Sequence, residues 1–326
     1  MYLRFHRPFL RLPVRFCART LASEAIALPE SAWDPHPTGF VGNEAVRLVT
    51  PHGEPTDSLE GPMAPTKHLR SCPYILQIMG ELDTVWGRSR LMGLAAGAEV
   101  PPHVDSNYYW RTHLRIHIPV ITNPGVEFTC GDETVHMAAG ECWVFDSFRP
   151  HDVQNRGSER RIHLVLDTVG SDRMWHLMDV AKDAEQEPLF TPPGQSQAGD
   201  LRFEHVNRPN VMSPWEVQQH IDFLFDHVEP HEALEPVRKC LDRFVCAWAA
   251  LWAQYGDSSR GEPDYRERML EARRELAAIP GGGRILLDNG KSLYLFLEHL
   301  VFIYALAPAK SAYAGSSKVA ESYTAA

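Results

Sequence analysis

Three side chains in this sequence are spaced for metal chemistry. His103 and Asp105 lie two apart in Pro101-Pro102-His103-Val104-Asp105, and residues two apart on a strand point to the same side. His151, in Arg149-Pro150-His151-Asp152-Val153, offers a third donor. Two imidazoles and one carboxylate on one face of an ion leave its other positions open, which is the donor set suited to Fe(II) with a co-substrate and O2. H-x-D alone is weak in a chain with 16 histidines; by itself His103 reads as a capping or surface residue. Its surroundings add weight. A strand-rich stretch separates it from His151, and Arg161 follows on a further β run. An arginine presents a planar fork to a carboxylate, such as the distal carboxylate of 2-oxoglutarate.

The segment Arg111–Val120 alternates: Leu114, Ile116, Ile118 and Val120 on one face, Arg111, His113, Arg115 and His117 on the other. It reads as a strand whose basic face either receives carboxylates or is a solvated edge. Arg111/His113 repeats the R-x-H spacing of Arg115/His117, and Ile118-Pro119 favours the second pair. Asp146 and Asp152 flank His151 and read either as carboxylates that orient it or as exposed loop. Arg88 and Arg90 bracket Ser89 before the H-x-D strand, facing either an acidic substrate group or solvent. Asn107 and Tyr109, with Tyr108 and Trp110, follow the metal loop and either line a substrate entrance or pack. Trp143 and Phe145 read as core.

His103-Val-Asp105, Leu114-Arg115-Ile116-His117-Ile118-Pro119, Gly140-Glu141-Cys142-Trp143-Val144-Phe145-Asp146, His151-Asp-Val-Gln-Asn155 and Arg161-Ile-His163-Leu164 follow one another in this order. Together they closely resemble the aspartyl/asparaginyl β-hydroxylase family, over roughly Arg88 to Asp167. The resemblance implies a double-stranded β-helix (jelly roll, cupin-like), Fe(II), 2-oxoglutarate as co-substrate and O2, and C–H hydroxylation of an amino-acid side chain. His103 and His151 fall on its metal histidines; Arg115, His117 and Arg161 fall on its 2-oxoglutarate residues. The animal enzymes lack the metal carboxylate that Asp105 supplies here, so the chain looks more like the bacterial branch, which includes free-proline hydroxylases. The first reading is an enzyme, a dioxygenase acting on the β-carbon of Asp or Asn in a peptide or protein. The alternative is hydroxylation of a free amino acid, proline-like or acidic. A third reading is a non-catalytic, cupin-like metal-binding protein.

The elements that must position these residues fall into a mainly β catalytic region followed by an α-helical one. Residues 29–65 are punctuated by Pro and Gly and read as loops and short strands. From Tyr74 to Asp167 short β runs alternate with turn signals, the texture of a sandwich or barrel. The expected division is an oxygenase domain over 1–185 with its N-terminal extension, a linker over 186–200, an α-helical domain over 201–310 and a disordered tail over 311–326. Helical spacing marks the third part: Ile221, Leu224, Phe225 and Val228, then Leu241, Phe244, Val245, Trp248 and Leu251. Tyr265–Ile279 and Ser292–Ala307 read as two more helices.

Composition bounds the rest. The net charge of −10 argues against a general nucleic-acid binder. No apolar run reaches the length of a membrane span; the longest, Leu293 to Leu306, is broken by Glu298 and His299. Six scattered cysteines without a C-x-x-C pair read as buried free thiols of a reducing, cytoplasmic compartment. The arginine-rich first twenty residues have a transit-peptide composition, but the alternation of Leu10, Leu12, Val14 and Phe16 favours a mature strand. Gly281-Gly282-Gly283 and Gly290-Lys291-Ser292 do not make a phosphate loop, because Ile285 stands where that pattern needs glycine. Oligomeric state leaves no signal.

Overall fold

The computed structural model describes residues 5–182, 187–194 and 200–307, and the chain divides into two compact units. One holds the described residues up to Asp105 together with Thr112–Asn207; the other holds Ser106–Arg111 and the described residues from Arg208 onward.

The first unit is built on two sheets. In chain order the strands are β1 (Phe9–Phe16), β2 (Asp34–Pro35), β3 (Asn43–Pro51), β4 (Met63–Pro65), β5 (Val85–Leu94), β6 (Glu99–His103), β7 (Leu114–Ile121), β8 (Val126–Cys130), β9 (Glu133–Val135), β10 (Glu141–Phe145), β11 (His151–Asn155), β12 (Arg161–Gly170), β13 (Leu189–Thr191) and β14 (Arg202–Phe203). The large sheet runs β13-β1-β10-β7-β12-β5-β3-β2, with β14 added to β5 and β4 to β3. The small sheet runs β6-β11-β8-β9. Central β12, flanked by β7 and β5, is buried at every position except Val169, as a strand covered on both faces must be. In β8 and β11 buried and half-buried positions alternate, the period of a strand with one face in the core.

The core lies between the sheets. Phe9, Leu94 and Phe145 come from the large sheet, Phe128, Cys130 and Val153 from the small one, with Met137 beside them. Two sheets, antiparallel apart from β13 on β1 and β14 on β5, close over this core and make the expected double-stranded β-helix. Gly140 turns the chain into β10 at φ +81°, where a Cβ would stand 2.3 Å from the Phe16 carbonyl oxygen. Only glycine fits there.

The second unit contains α6 and its successors. The helices in chain order are α1 (Ala18–Ala27), α2 (Lys67–Arg70), α3 (Pro73–Leu82), α4 (Tyr108–Thr112), α5 (Asp172–Val180), α6 (Pro214–Phe225), α7 (Leu234–Tyr255), α8 (Glu262–Ala277) and α9 (Leu293–Leu297), which runs into a π-helical turn over Glu298–Phe302. α6 starts as its sequence dictates: the Ser213 hydroxyl accepts the Glu216 N–H, and Pro214 occupies the first turn. On α7, Leu241, Phe244 and Trp248 are buried one turn apart, and the Trp248 indole N–H donates to the Met212 carbonyl at 2.8 Å. No described helix is long and apolar enough to cross a membrane.

Several expectations differ from what is seen. Residues 73–82, expected in β-rich texture, form α3, with Tyr74, Ile75, Gln77, Ile78, Met79 and Leu82 all buried. Its apolar residues Tyr74, Ile75, Ile78, Met79 and Leu82 recur at helical spacing, a period the expectation passed over. Within 29–65 the chain forms the nine-residue β3, buried because β5 pairs along it. The segment expected as a linker contributes β13, parallel to β1, and β14 lies on β5, so the helical unit begins at Arg208 and not at 201. The expected strand from Arg111 starts at Leu114; Arg111 lies in α4, where the run Tyr108-Tyr109-Trp110 is buried. All six cysteines are free, but Cys246 is exposed and Cys17 half-buried. The tail 311–326 lies outside the described residues.

Candidate active site

β6 and β11 are antiparallel neighbours, and His103 stands opposite His151 across them. Their ring centroids are 4.2 Å apart. Asp105 follows β6 in a turn held by its own N–H, which donates to the Ser147 carbonyl at 3.1 Å. One ligand atom from each of His103, Asp105 and His151 falls within 4.8 Å of the other two, so the three can hold one ion. The histidines are also set to the correct tautomer. His103 Nδ1 lies 2.8 Å from the Pro101 carbonyl oxygen and His151 Nδ1 lies 2.9 Å from that of Arg149. A carbonyl only accepts, so each Nδ1 carries the proton and each Nε2 presents a lone pair. Burial, then the nearby His103, pulls His151 down to about 3. Burial alone would raise the Asp105 carboxyl, but Arg115, His151 and His103 together hold it below its usual value. At neutral pH His151 is therefore neutral and Asp105 ionised, the forms that bind a divalent cation.

Asp146 and Asp152 do not orient His151. Asp146 accepts from the Phe148 N–H at 3.2 Å and pairs with Arg149. Asp152 is next along the strand and so points to the opposite face; the Arg149 carbonyl does the orienting instead. Arg115 stands against the metal carboxylate: its Nη1 is 3.2 Å from Asp105 and its Nε 3.2 Å from Asp167.

A second cluster lies behind the triad. Arg161 and His163 share one face of β12, and Arg161 Nη2 donates to His163 Nδ1 at 2.6 Å. His163 Nδ1 is 3.4 Å from His117 Nδ1. All three are buried. Burial pulls Arg161 down to about 9, and burial together with Arg161 holds both histidines well below their ordinary range. Arg161 Nε, His163 Nε2 and His117 Nε2 have no hydrogen-bond partner among the described residues. Buried polar atoms of this kind call for a ligand, and a carboxylate is the one that a guanidinium favours. Phe145 touches the rings of both His117 and His151, at 5.3 and 4.9 Å, which ties this cluster to the metal donors. The residues present thus fit both Fe(II) and a carboxylate co-substrate. His163 stands within the Arg161-Ile-His163-Leu164 motif, but the sequence reading gives it no role; its signal is a histidine two residues beyond Arg161 on the same strand face.

A third cluster surrounds β5. Arg88 and Arg90, two apart on one face, are buried and not on the surface. Arg88 Nε lies 3.9 Å from Asp167, and Arg90 Nη1 lies 3.1 Å from His36 Nε2. Burial, then Arg90, Arg88, Arg115 and His103, pushes His36 down to about 2. His36 sits in the Pro- and Gly-rich stretch, where nothing local marks it.

Of the two R-x-H pairs, only Arg115 and His117 lie on β7. His113 Nε2 is 3.0 Å from Glu204, and Arg111 belongs to the helical unit, its guanidinium 3.4 Å from the Phe223 ring centre. Asn107 and Tyr109 belong to the helical unit as well. The Asn107 amide donates to the Tyr304 hydroxyl at 2.6 Å and accepts the Tyr109 N–H, and Tyr109 is buried.

A jelly roll that presents two histidines and an aspartate from adjacent strands, with a buried arginine behind them, defines the Fe(II)- and 2-oxoglutarate-dependent oxygenases. Residues 59–170 match the family described as aspartyl/asparaginyl beta-hydroxylase. An L-proline cis-3-hydroxylase of a Streptomyces species is 32% identical over 234 residues, 63% of this chain and 76% of that one. An L-proline cis-4-hydroxylase of Rhizobium meliloti is 30% identical over 128 residues, 39% of this chain, which spans 43% of that relative's length. The crystal structure of a Pseudomonas putida prolyl-4-hydroxylase has a TM-score of 0.35 and 14% identity, covering 50% of this chain and 92% of that one, a likeness too slight to bear on the assignment. The chain belongs to the aspartyl/asparaginyl β-hydroxylase family of oxygenases, whose cofactors are Fe(II), 2-oxoglutarate and O2.

Proposed function

We propose that this enzyme hydroxylates a carbon of a free amino acid of the proline type. The observation that carries the reading is the pair of buried guanidiniums, Arg88 and Arg90, in the same unit as the metal donors. Buried cations of this kind suit a carboxylate, which every free amino acid has at its α-carbon and which Asn within a peptide lacks. Two relatives that bear the name of L-proline hydroxylases support the same choice over a peptide-borne Asp or Asn.

In this reading His103, Asp105 and His151 hold Fe(II), which with 2-oxoglutarate and O2 supplies the oxidising chemistry that replaces a C–H hydrogen by hydroxyl. Arg161 and His117 receive the distal carboxylate of 2-oxoglutarate. Arg115 keeps Asp105 turned toward the metal and ionised. Arg88 and Arg90 fix the amino acid by its carboxylate, so that one carbon faces the metal. The phenyl rings of Phe128 and Phe145 wall the histidines and exclude water.

Incubation of the Fe(II)-loaded protein with 2-oxoglutarate and a panel of free amino acids and peptides, read by mass spectrometry, tests it. L-Proline or a close analogue should gain one oxygen atom, with succinate formed in step. Oxygen incorporation into peptides alone would overturn the substrate reading, and no succinate with any substrate would favour a metal-binding protein without catalysis.

A further inference from the structure

Glu204 is a buried carboxylate outside residues 59–170, the part that matches the family. It follows β14 directly, and its backbone is fixed from two sides. Its N–H donates to the Trp86 carbonyl of β5 at 2.9 Å, and its carbonyl accepts the Met63 N–H of β4 at 2.7 Å. In the side chain, Oε1 lies 3.0 Å from His113 Nε2. Oε2 is sealed from solvent and has no hydrogen-bond partner among the described residues. A buried carboxylate oxygen without a donor is costly, and in a native fold it calls for a ligand or an ordered water.

The place of this oxygen favours a ligand. Trp86 pairs with Thr168 of β12 on one edge of β5 and with Phe203 of β14 on the other. β12 in turn has β7 on its far edge. His113 comes immediately before β7 and two residues before Arg115, which puts both side chains on one face. The His113–Glu204 contact therefore spans β5 and β12, the strands that bear Arg88 and Asp167. Arg115 joins Asp167 to the metal carboxylate Asp105, at 3.2 Å from each. Glu204 thus reaches the face of the sheet that serves the metal donors.

A free amino acid is a zwitterion. Its carboxylate needs cationic donors, while its ammonium group needs acceptors, and a buried N–H without one is left unpaired at a cost. Arginine only donates and cannot serve the nitrogen. A carboxylate with one oxygen held and the other open can. It does so whatever share of its charge His113 compensates, because the open oxygen keeps its lone pairs.

We propose that Glu204 Oε2 accepts an N–H of the substrate's ammonium group, so that the free amino acid is recognised at both of its charges. This rests on the substrate reading above. Anaerobic calorimetric titration of the protein loaded with Fe(II) and 2-oxoglutarate tests it, with two compounds. One is L-proline; the other is (S)-tetrahydrofuran-2-carboxylate, which keeps the ring and the carboxylate but has an ether oxygen in place of the charged nitrogen. The wild type should bind L-proline about tenfold or more tightly than the ether, the worth of a hydrogen bond to a charged group. Glu204→Gln should weaken L-proline by about that factor and leave the ether and 2-oxoglutarate unchanged, so that the preference disappears. In turnover the loss should fall on KM, with kcat changed less than about twofold. Should Glu204→Gln fail to fold, Glu204→Asp takes its place: it keeps the charge, draws the acceptor back by one methylene, and should shrink the preference in the same direction. Equal binding of the two compounds by the wild type, or a preference that survives in the folded variant, overturns the role of Glu204 and leaves the substrate reading standing. A wild-type protein that converts peptides but neither binds nor converts any free amino acid overturns the substrate reading, and this inference with it.

Discussion

His103 and His151 face each other across two antiparallel strands, their rings 4.2 Å apart, each with Nδ1 tied to a carbonyl two residues earlier in its own chain. The metal site is thus written into the small sheet before any ion arrives. Its geometry depends on backbone pairing and needs no distant side chain to orient the rings.

That arrangement makes His103 irreplaceable. His103→Ala should lower Co(II) or Fe(II) affinity by more than about 100-fold, beyond the effect of losing an orienting partner, while the melting temperature of the metal-free protein changes little. Isothermal titration with each metal measures it; retained affinity would remove His103 from the site.

Arg161 should act on the co-substrate and not on the metal. Arg161→Ala should weaken 2-oxoglutarate binding by about 10- to 100-fold, the worth of a charge-assisted hydrogen bond, with metal affinity unchanged. His163→Phe should weaken it less and in the same direction. Equal loss of metal and 2-oxoglutarate would mean that the cluster is structural.

Acid should destabilise the fold in a defined window. His220 is fully buried and lies at about 3, through burial first and then the positive charge of Arg111. In the unfolded chain it returns to its ordinary 6.5. Between these values the unfolded chain binds a proton that the folded one refuses, so stability rises with pH through the window and is lost progressively as pH falls through it. His36 and His151, also lowered, act in the same sense. His220→Phe should flatten the acid limb by up to about 1.4 kcal/mol per pH unit. Urea unfolding between about pH 5 and 7 reads that slope directly, and an unchanged slope would contradict the assignment.

Gly140→Ala should cost about 1–3 kcal/mol, because it combines a positive φ with a Cβ driven into the Phe16 carbonyl. Urea denaturation of the metal-free protein measures this. A neutral effect would mean that the β1–β10 junction relaxes freely.

Much of the site was legible because its donors are local. His103 and Asp105 are two residues apart, Arg161 sits on a β run, and short runs with turns indicate a sandwich or barrel, which the family resemblance narrows to a jelly roll. What escaped depends on distance in the chain. His36 meets Arg90 across 54 positions, and no pattern of spacing announces such a contact. His163 was visible within the Arg161-Ile-His163-Leu164 motif but was given no role, since its contact with His117 arises only when the neighbouring strand comes alongside. Arg111 and His113 repeat the spacing of Arg115 and His117; the buried aromatic run Tyr108–Trp110 sets a helix there, and strand geometry begins only at Leu114. In residues 73–82 the helical spacing of Tyr74, Ile75, Ile78, Met79 and Leu82 was present in the sequence and was passed over in a stretch read as β-rich.

Anaerobic titration of the metal-free protein with Fe(II) and then 2-oxoglutarate, followed by visible absorption, tests the central claim most directly. The weak band of a keto acid chelated to iron should develop in the wild type, be absent in His103→Ala, and require about tenfold or more 2-oxoglutarate in Arg161→Ala. No band in the wild type, with protein folded and metal bound, would contradict the account.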